Sequence, residues 1–291
     1  RFVFRSLAAW LAAGSMATAA MPVALAQEGS AAAASRTPTG KVPAAVSVLS
    51  IVEHPSLDAL RDGLHDELKD AGYQDGKSLH WAYQSAQGNQ GTAVQIARKF
   101  VGDRPDVIVP IATPEAQAGV SATHQIPVVY NAITDPIAAQ IVKSMAPSGT
   151  NVTGVSDKLV ADRQVAFIKR VVPDVKRVGI IYSPAEANSV SATREMKVAL
   201  EKQGISLVEV AAPRSIDVGQ AAQRLVGKVD VIYTSNDNNV ISAYESVIKV
   251  ANAAKIPLIC ADRSSVQRGA TGAMAIDYYR MGRQTGRMVL R

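Results

Sequence analysis

Cysteine is nearly absent: Cys260 stands alone in 291 residues, so no intrachain disulfide can form. It closes the run Ile256-Pro257-Leu258-Ile259-Cys260, the pattern of a buried strand residue rather than of a reactive thiol. Histidine occurs four times, at His54, His65, His80 and His124, with no spacing that would gather ligands on one metal. There is no G-x-S-x-G elbow, no Walker loop, no H-E-x-x-H, and no G-x-G-x-x-G after the first strand. Nothing pairs a nucleophile with a base, so neither catalysis nor a cofactor is expected. Basic residues are scattered without a run of five, which argues against nucleic acid as a partner. Aromatic residues make up only 5% of the chain, although hydrophobic residues reach 47%. Ala, Val and Ile carry the apolar load, a mixture that suits parallel sheets covered by helices.

The formal charge of +6 is inflated by the N-terminus. Residues 1–26 read as a secretion signal. Arg1 and Arg5 are followed by the apolar, small-residue run Leu7–Ala20, then by Ala24-Leu25-Ala26, with Gln27 as the expected mature start. Gly14, Ser15 and Thr18 interrupt the run, which argues against a membrane anchor. Without Arg1 and Arg5 the remaining 29 basic and 25 acidic residues give +4. No cysteine stands at the cleavage site, so an unlipidated periplasmic protein is expected. The first residue is not Met, so a slightly shortened N-terminus is expected. Residues 27–43, rich in Ala, Ser, Thr, Gly and Pro, read as a disordered leader.

From Ala44 the pattern alternates strand and helix. Strands are expected at 46–52, 79–85, 106–111 and 127–133, and helices at 56–71, 92–101, 114–123 and 136–145. The series then restarts. Helices are expected at 159–172, 189–203, 218–226 and 240–254, and strands at 178–182, 207–211, 229–233 and 257–260. "RPDVIVPIATPEA" parallels "KVDVIYTSNDNNV", and "HQIPVVYNAITDP" parallels "AKIPLICADRSSV". One unit is used twice. Repeated β-α-β units with right-handed crossovers give an α/β fold of two doubly wound parallel-sheet lobes with a central cleft. The lobes are expected at 44–155 and 156–265, with 266–291 returning to the first.

Ligands in such folds bind beyond the carboxyl ends of the strands, near helix N-termini that favour anions. The residues there include His54, Thr113 with Pro114, Asp135, Asn188 with Ser189, and Ser235–Asn239; Ser156 and Asp157 lie in the lobe connection. Each has a plainer reading as a helix cap or loop residue. The six polar residues Thr234–Asn239 exceed what one cap uses, and suit a ligand carrying both donors and acceptors.

"ATPEAQ" from Ala112, "AITDP" from Ala132, "GTNVTGVSD" from Gly149, "PAEANSV" from Pro184, "NDNNVISA" from Asn236 and "AIDYYRMGRQTG" from Ala275 occur in series. Together they resemble the substrate-binding proteins of ABC importers whose better-known members bind tryptophan and other aromatic amino acids. The resemblance spans about 46–291. It implies a type I periplasmic binding fold, a permease and its ATPase as partners, and a small-molecule ligand, an aromatic or apolar amino acid, held by a monomer. It also implies residues beyond Arg291, because family members continue for a few tens of residues. By motif, the implied ligand contacts are His54, Thr113, Pro114 and Asp135 in the first lobe, and Ser156 and Asp157 at the hinge. Asn188, Ser189, Asn236, Asp237 and Asn238 follow in the second lobe, and Asp277 where the chain returns. Asp237, Asp135 or Asp277 would pair with the ligand's ammonium. Tyr83, Tyr130, Tyr233 or Tyr278 would offer an aromatic wall, with Tyr130 and Tyr233 equally suited to the core. The rival readings are a receptor for another small polar solute, an exported α/β enzyme, and a sensor domain.

Overall fold

The computed structural model describes residues 45–147 and 149–291. The signal and leader segments read from the sequence lie outside them. Two five-stranded sheets, each parallel throughout, build the two lobes. The first contains β1 (Ala45–Ser50), β2 (His80–Ser85), β3 (Val107–Ile111), β4 (Val128–Asn131) and β5 (Val152–Val155), in the order β2-β1-β3-β4-β5. The second contains β6 (Arg177–Tyr182), β7 (Ser206–Ala211), β8 (Val231–Thr234), β9 (Leu258–Asp262) and β10 (Gly272–Ile276), in the order β7-β6-β8-β9-β10. The orders are the same once the second set is renumbered, so the sequence repeat is a repeat of topology. It extends to one anchor. Asp106 Oδ2 accepts from the Ala45 N–H at 3.0 Å, and Asp230 Oδ2 from the Arg177 N–H at 2.8 Å. In each lobe an aspartate just before the third strand holds the start of the first.

The covering helices follow apolar spacing. In α1 (Pro55–Asp70) Leu57, Leu60, Leu64 and Leu68 are buried on one face, and Pro55 opens the first turn. The first lobe continues with α2 (Gln90–Asp103) and α3 (Thr113–Ala122). The second lobe carries α4 (Ala161–Val171), α5 (Ala187–Glu201), α6 (Val218–Leu225), α7 (Asn238–Ser242), α8 (Tyr244–Ala254) and α9 (Arg263–Arg268).

Four expectations change. The helix expected at 136–145 is a series of turns. Asp135 caps one turn through the Ala138 N–H at 2.9 Å, but Gln140 is left-handed at φ 58° and ends it, which lets Ala139 and Ile141 both reach the core. The helix expected at 240–254 starts at Asn238 and breaks at Ala243. The break swings Tyr244 inward, where its hydroxyl meets Thr234 Oγ1 at 3.0 Å. The lobe connection supplies a strand, β5, at the edge of the first sheet. The final segment does not return at residue 266: β10 is still part of the second sheet, and only α10 (Tyr278–Val289) packs on α1 in the first lobe. The chain therefore crosses between lobes after β5 and again at Asp277.

Candidate functional site

In the strand order 2-1-3-4-5 the crevice opens where the order reverses, between the first and third strands. Each lobe has such a point, and the two face each other. The segments after β1, β3, β8 and the hinge converge on a cavity of about 10 Å³, room for a single water. Its first-lobe wall is His54, Leu57, Ala112, Thr113 and Ala132; its second-lobe wall is Asn188, Asn236, Asn238 and Ile241. Asp157 and Tyr278, one at each crossing between the lobes, complete it.

The backbone is strained at this place. Ala112 sits at φ 76°, ψ 162°, a region used almost only by glycine, and Ala132 at φ 56°. Such conformations cost about 1–3 kcal/mol each and gather at ligand clamps. At Ala112 no side chain caps α3, so the amides of its first turn are left for another acceptor.

Four buried polar atoms of the cavity residues have no hydrogen-bond partner: His54 Nε2, Thr113 Oγ1, Asn188 Oδ1 and Asn236 Oδ1. Their chemistry follows from what their neighbours do. His54 Nδ1 accepts from the Leu57 N–H at 3.4 Å, so the proton of the neutral ring is on Nε2, a donor. Burial drives the His54 pKa down to about 4, against the opposing pull of Asp262, and keeps the ring neutral. Asn188 Nδ2 donates to Glu186 Oε2 at 3.1 Å and to the Asn236 carbonyl at 2.9 Å, which leaves its Oδ1 as an acceptor. Asn236 Nδ2 donates to Asp157 Oδ2 at 3.0 Å, which leaves Oδ1 likewise. Asp157 also accepts from Thr134 Oγ1 at 2.8 Å and the Tyr278 hydroxyl at 2.7 Å. Burial raises its pKa, and these three donors counter the rise. Donors thus line the first lobe, and acceptors line the hinge and the second lobe.

Six of the residues picked from the sequence meet here: His54, Thr113, Asp157, Asn188, Asn236 and Asn238. The others lie elsewhere. Pro114 fills the first turn of α3. Asp135 joins the lobes away from the cavity, accepting from Ser191 Oγ at 2.9 Å. Ser156 stays in the hinge turn, where its Oγ accepts from the Lys158 N–H at 3.2 Å. Asp277 caps α10 through the Arg280 N–H at 3.0 Å and is solvent-exposed. Ser189 Oγ donates to Asp237 Oδ2 at 2.6 Å.

Asp237 itself is fully buried inside the second lobe. It accepts from the Ser183 N–H at 2.6 Å and caps α7 through the Val240 N–H at 2.9 Å. That is anchoring, not ligand-facing, geometry. Asp237→Ala removes the cap, leaves the Val240 N–H unpaired, and leaves the Ser183 N–H with only its weaker bond to Ser189 Oγ at 3.1 Å. It is expected to lower the stability of the ligand-free protein by about 3 kcal/mol in urea denaturation.

Sequence reasoning missed Leu57, Ala112, Ala132 and Ile241. The two large residues sit within ordinary helical periodicity, and a left-handed alanine has no signature. It also missed Ser56, at the start of α1, whose Oγ donates to Asp262 Oδ1 across the lobes. With Ser191–Asp135, and Gln90 Nε2 to the Ala185 carbonyl at 3.2 Å, this bond holds the lobes shut. Among the described residues no group of three His, Cys, Asp or Glu could hold a metal.

The family model for the ABC transporter substrate binding protein matches residues 45–291. The chain belongs to this family. A tyrosine-binding protein of Clostridioides difficile is 39% identical over 245 residues, covering 84% of this chain and 71% of that protein. A crystal structure of the ABC domain in complex with L-Trp, from Streptococcus pneumonia, is 35% identical, with 84% of this chain and 83% of that chain covered and a TM-score of 0.82. The ligand-free, open structure of a substrate binding protein from Clostridium difficile is 38% identical with the same coverage, 84% and 83%, yet its TM-score is 0.62. This substrate-binding protein has the type I periplasmic binding fold, and its overall likeness to the L-Trp complex exceeds that to the ligand-free, open structure.

Proposed function

We propose that the protein is a periplasmic receptor for an α-amino acid with an aromatic or apolar side chain, delivered to an ABC permease and its ATPase. One observation carries this reading. The unpaired groups of the cavity are sorted by sign, and a zwitterion needs that sorting. A carboxylate suits Thr113, the first turn of α3 and the His54 Nε2–H. An ammonium suits Asn188 Oδ1, Asn236 Oδ1 and the Asp157 carboxylate. Leu57 and Ile241 add apolar wall, and Tyr278 adds an aromatic ring. The homology to tyrosine- and L-Trp-binding proteins supports the same ligand class.

In the closed arrangement the cavity is far smaller than an amino acid, so the ligand enters between separated lobes and closure wraps around it. Capture and release involve no covalent step, and the protein works as a monomer. The test is a thermal-shift screen of the twenty amino acids beside a sugar panel. An amino acid at 100 times its Kd is expected to add roughly 2.7 kcal/mol of stability. A screen in which no amino acid shifts the melting temperature overturns the reading, and a shift with sugars alone replaces it.

A further inference from the structure

Glu115 is the second residue after Thr113, in the first turn of α3, and is 0% exposed. Neither of its carboxylate oxygens has a hydrogen-bond partner beyond its own backbone N–H, which only partly counters the effect of burial. Glu186, in the second lobe, directly precedes α5 and is also buried. Its Oε2 accepts from Asn188 Nδ2 at 3.1 Å and from Asn238 Nδ2 at 2.6 Å, so it is tied to two cavity residues. The two glutamates flank the same contact between lobes: Ala116 belongs to an apolar cluster of the first lobe, and Ala187 packs against that cluster. The charges acting on them are acidic, Glu186 on Glu115 and Asp237 on Glu186. Among the described residues no Lys or Arg pairs with either. On the elements around them, Arg98 of α2 lines an outer groove beside Pro114, and His54 lies within reach of Asp262, Arg268 and Asn238. Asp157 lies at the hinge.

We infer that closing the lobes takes up a proton held by Glu115 and Glu186, so that ligand capture strengthens as pH falls. The inference rests on the receptor reading above. With the lobes apart, Glu115 is freed of the second lobe's Glu186 and ionises nearer the ordinary glutamate value, about 4.3, while Glu186 keeps the influence of Asp237 in its own lobe. With the lobes shut, two buried carboxylates face each other without a cation, and both cannot be ionised. Burial, reinforced by Glu186, lifts Glu115 well above the usual range; burial and Asp237 bring Glu186 to about 7.

The sign follows. The closed form binds more protons than the open one between about pH 4.3 and the raised values, so affinity falls as pH rises through that window, by up to about tenfold per pH unit for one proton. Below the window both forms are protonated and the dependence ends. His54 acts oppositely: its closed value of about 4 lies below its open one, so closure expels a proton from it below about pH 6.5. Above pH 7 the carboxyls act without that contribution.

Two readouts test the inference. Calorimetric titration with L-tyrosine and L-tryptophan between pH 7 and 8.5, in buffers of different ionisation heat, reports proton uptake. Small-angle X-ray scattering of the ligand-free protein over the same range reports closure without any amino acid. Wild type is expected to take up a proton on binding, to lose affinity toward pH 8.5, and to become more compact as pH falls. Glu115→Gln is expected to weaken these trends to the part carried by Glu186 and to bind about tenfold or more tightly than wild type at pH 8.5, and Glu115→Gln combined with Glu186→Gln to abolish them. Glu186→Gln serves as a second variant should the first fold poorly. Affinity and compactness independent of pH, and equal in wild type and variants, overturn the inference while the receptor reading stands. Failure of both amino acids to bind counts against the receptor reading, and scattering then decides the proton linkage by itself.

Discussion

Asp157→Ala is expected to weaken capture of an amino acid by about 30-fold to several thousandfold, the range found when one partner of a buried charge pair is removed. Asp157 is the one carboxylate among the cavity-lining residues. Its three donors, Thr134, Tyr278 and Asn236, come from the first lobe, the returning chain and the second lobe. It therefore ties together the segments that must come together when the lobes close. In the ligand-free protein its charge has only neutral donors around it, and burial raises its pKa. A bound ammonium would supply the missing cation and reverse that rise. Alanine removes both the charge and the tie. Tyr278→Phe keeps the carboxylate, loses one hydroxyl donor, and is expected to cost no more than about tenfold. Isothermal titration with whichever amino acid emerges from the screen checks both. An Asp157→Ala affinity within threefold of wild type would place the ammonium elsewhere.

The two-lobe fold was legible because its signal is redundant. Alternation, helix stops and a repeated unit all point to the same topology, and the offset between Asp106 and Asp230 persists as an offset between β3 and β8. What stayed hidden depends on contacts distant in sequence. The break at Ala243 exists because Tyr244 finds Thr234, and the single turn after Asp135 ends because Gln140 goes left-handed to bury Ile141. Strand β5 has four residues and mixed polarity, so it looks like linker until β4 pairs with it.

The candidate site divides along the same line. A polar residue at a strand end signals its presence near the cleft, which is why His54, Thr113, Asp157, Asn188, Asn236 and Asn238 were within reach. Whether its atoms face the cleft depends on which partners it finds. Asp237, one of three aspartates suited by sequence to an ammonium, is the anchor of its own lobe. Asp157, in a connection that looked like a hinge, holds the central place. Glu115 resembles an acidic first-turn residue that favours a helix dipole. In the folded protein it is a fully buried carboxyl that feels the charge of Glu186 in the second lobe.

Gly282→Leu is expected to be the most damaging single change away from the cavity. In α10 the residues Tyr278, Met281, Gly282, Thr285, Gly286 and Val289 form the buried stripe that lies on α1. A Cβ on Gly282 would fall inside the contact radius of the Leu60 carbonyl, and one on Gly63 inside that of the Tyr279 carbonyl. Each helix thus presses a glycine against the other's backbone. Overpacking a core side chain costs about 1–3 kcal/mol because neighbours rotate aside. Backbone cannot rotate aside, so α10 must lift off α1, uncovering Leu60, Leu64, Met281 and Val289. A loss of about 4 kcal/mol or more follows, in the range reserved for core disruption and a large part of an ordinary domain's stability. The same lift draws Tyr278 from Asp157, so amino-acid capture is expected to fall as well. The ion pairs beside this contact, Arg283 with Glu67 and Asp70 at 2.6 Å each, lie in partly solvated surroundings. Arg283→Ala is expected to cost only about 1 kcal/mol or less. Urea denaturation of the two variants side by side decides between them. If Arg283→Ala proved the worse, the helix pair would be held by charge rather than by close approach of the two backbones.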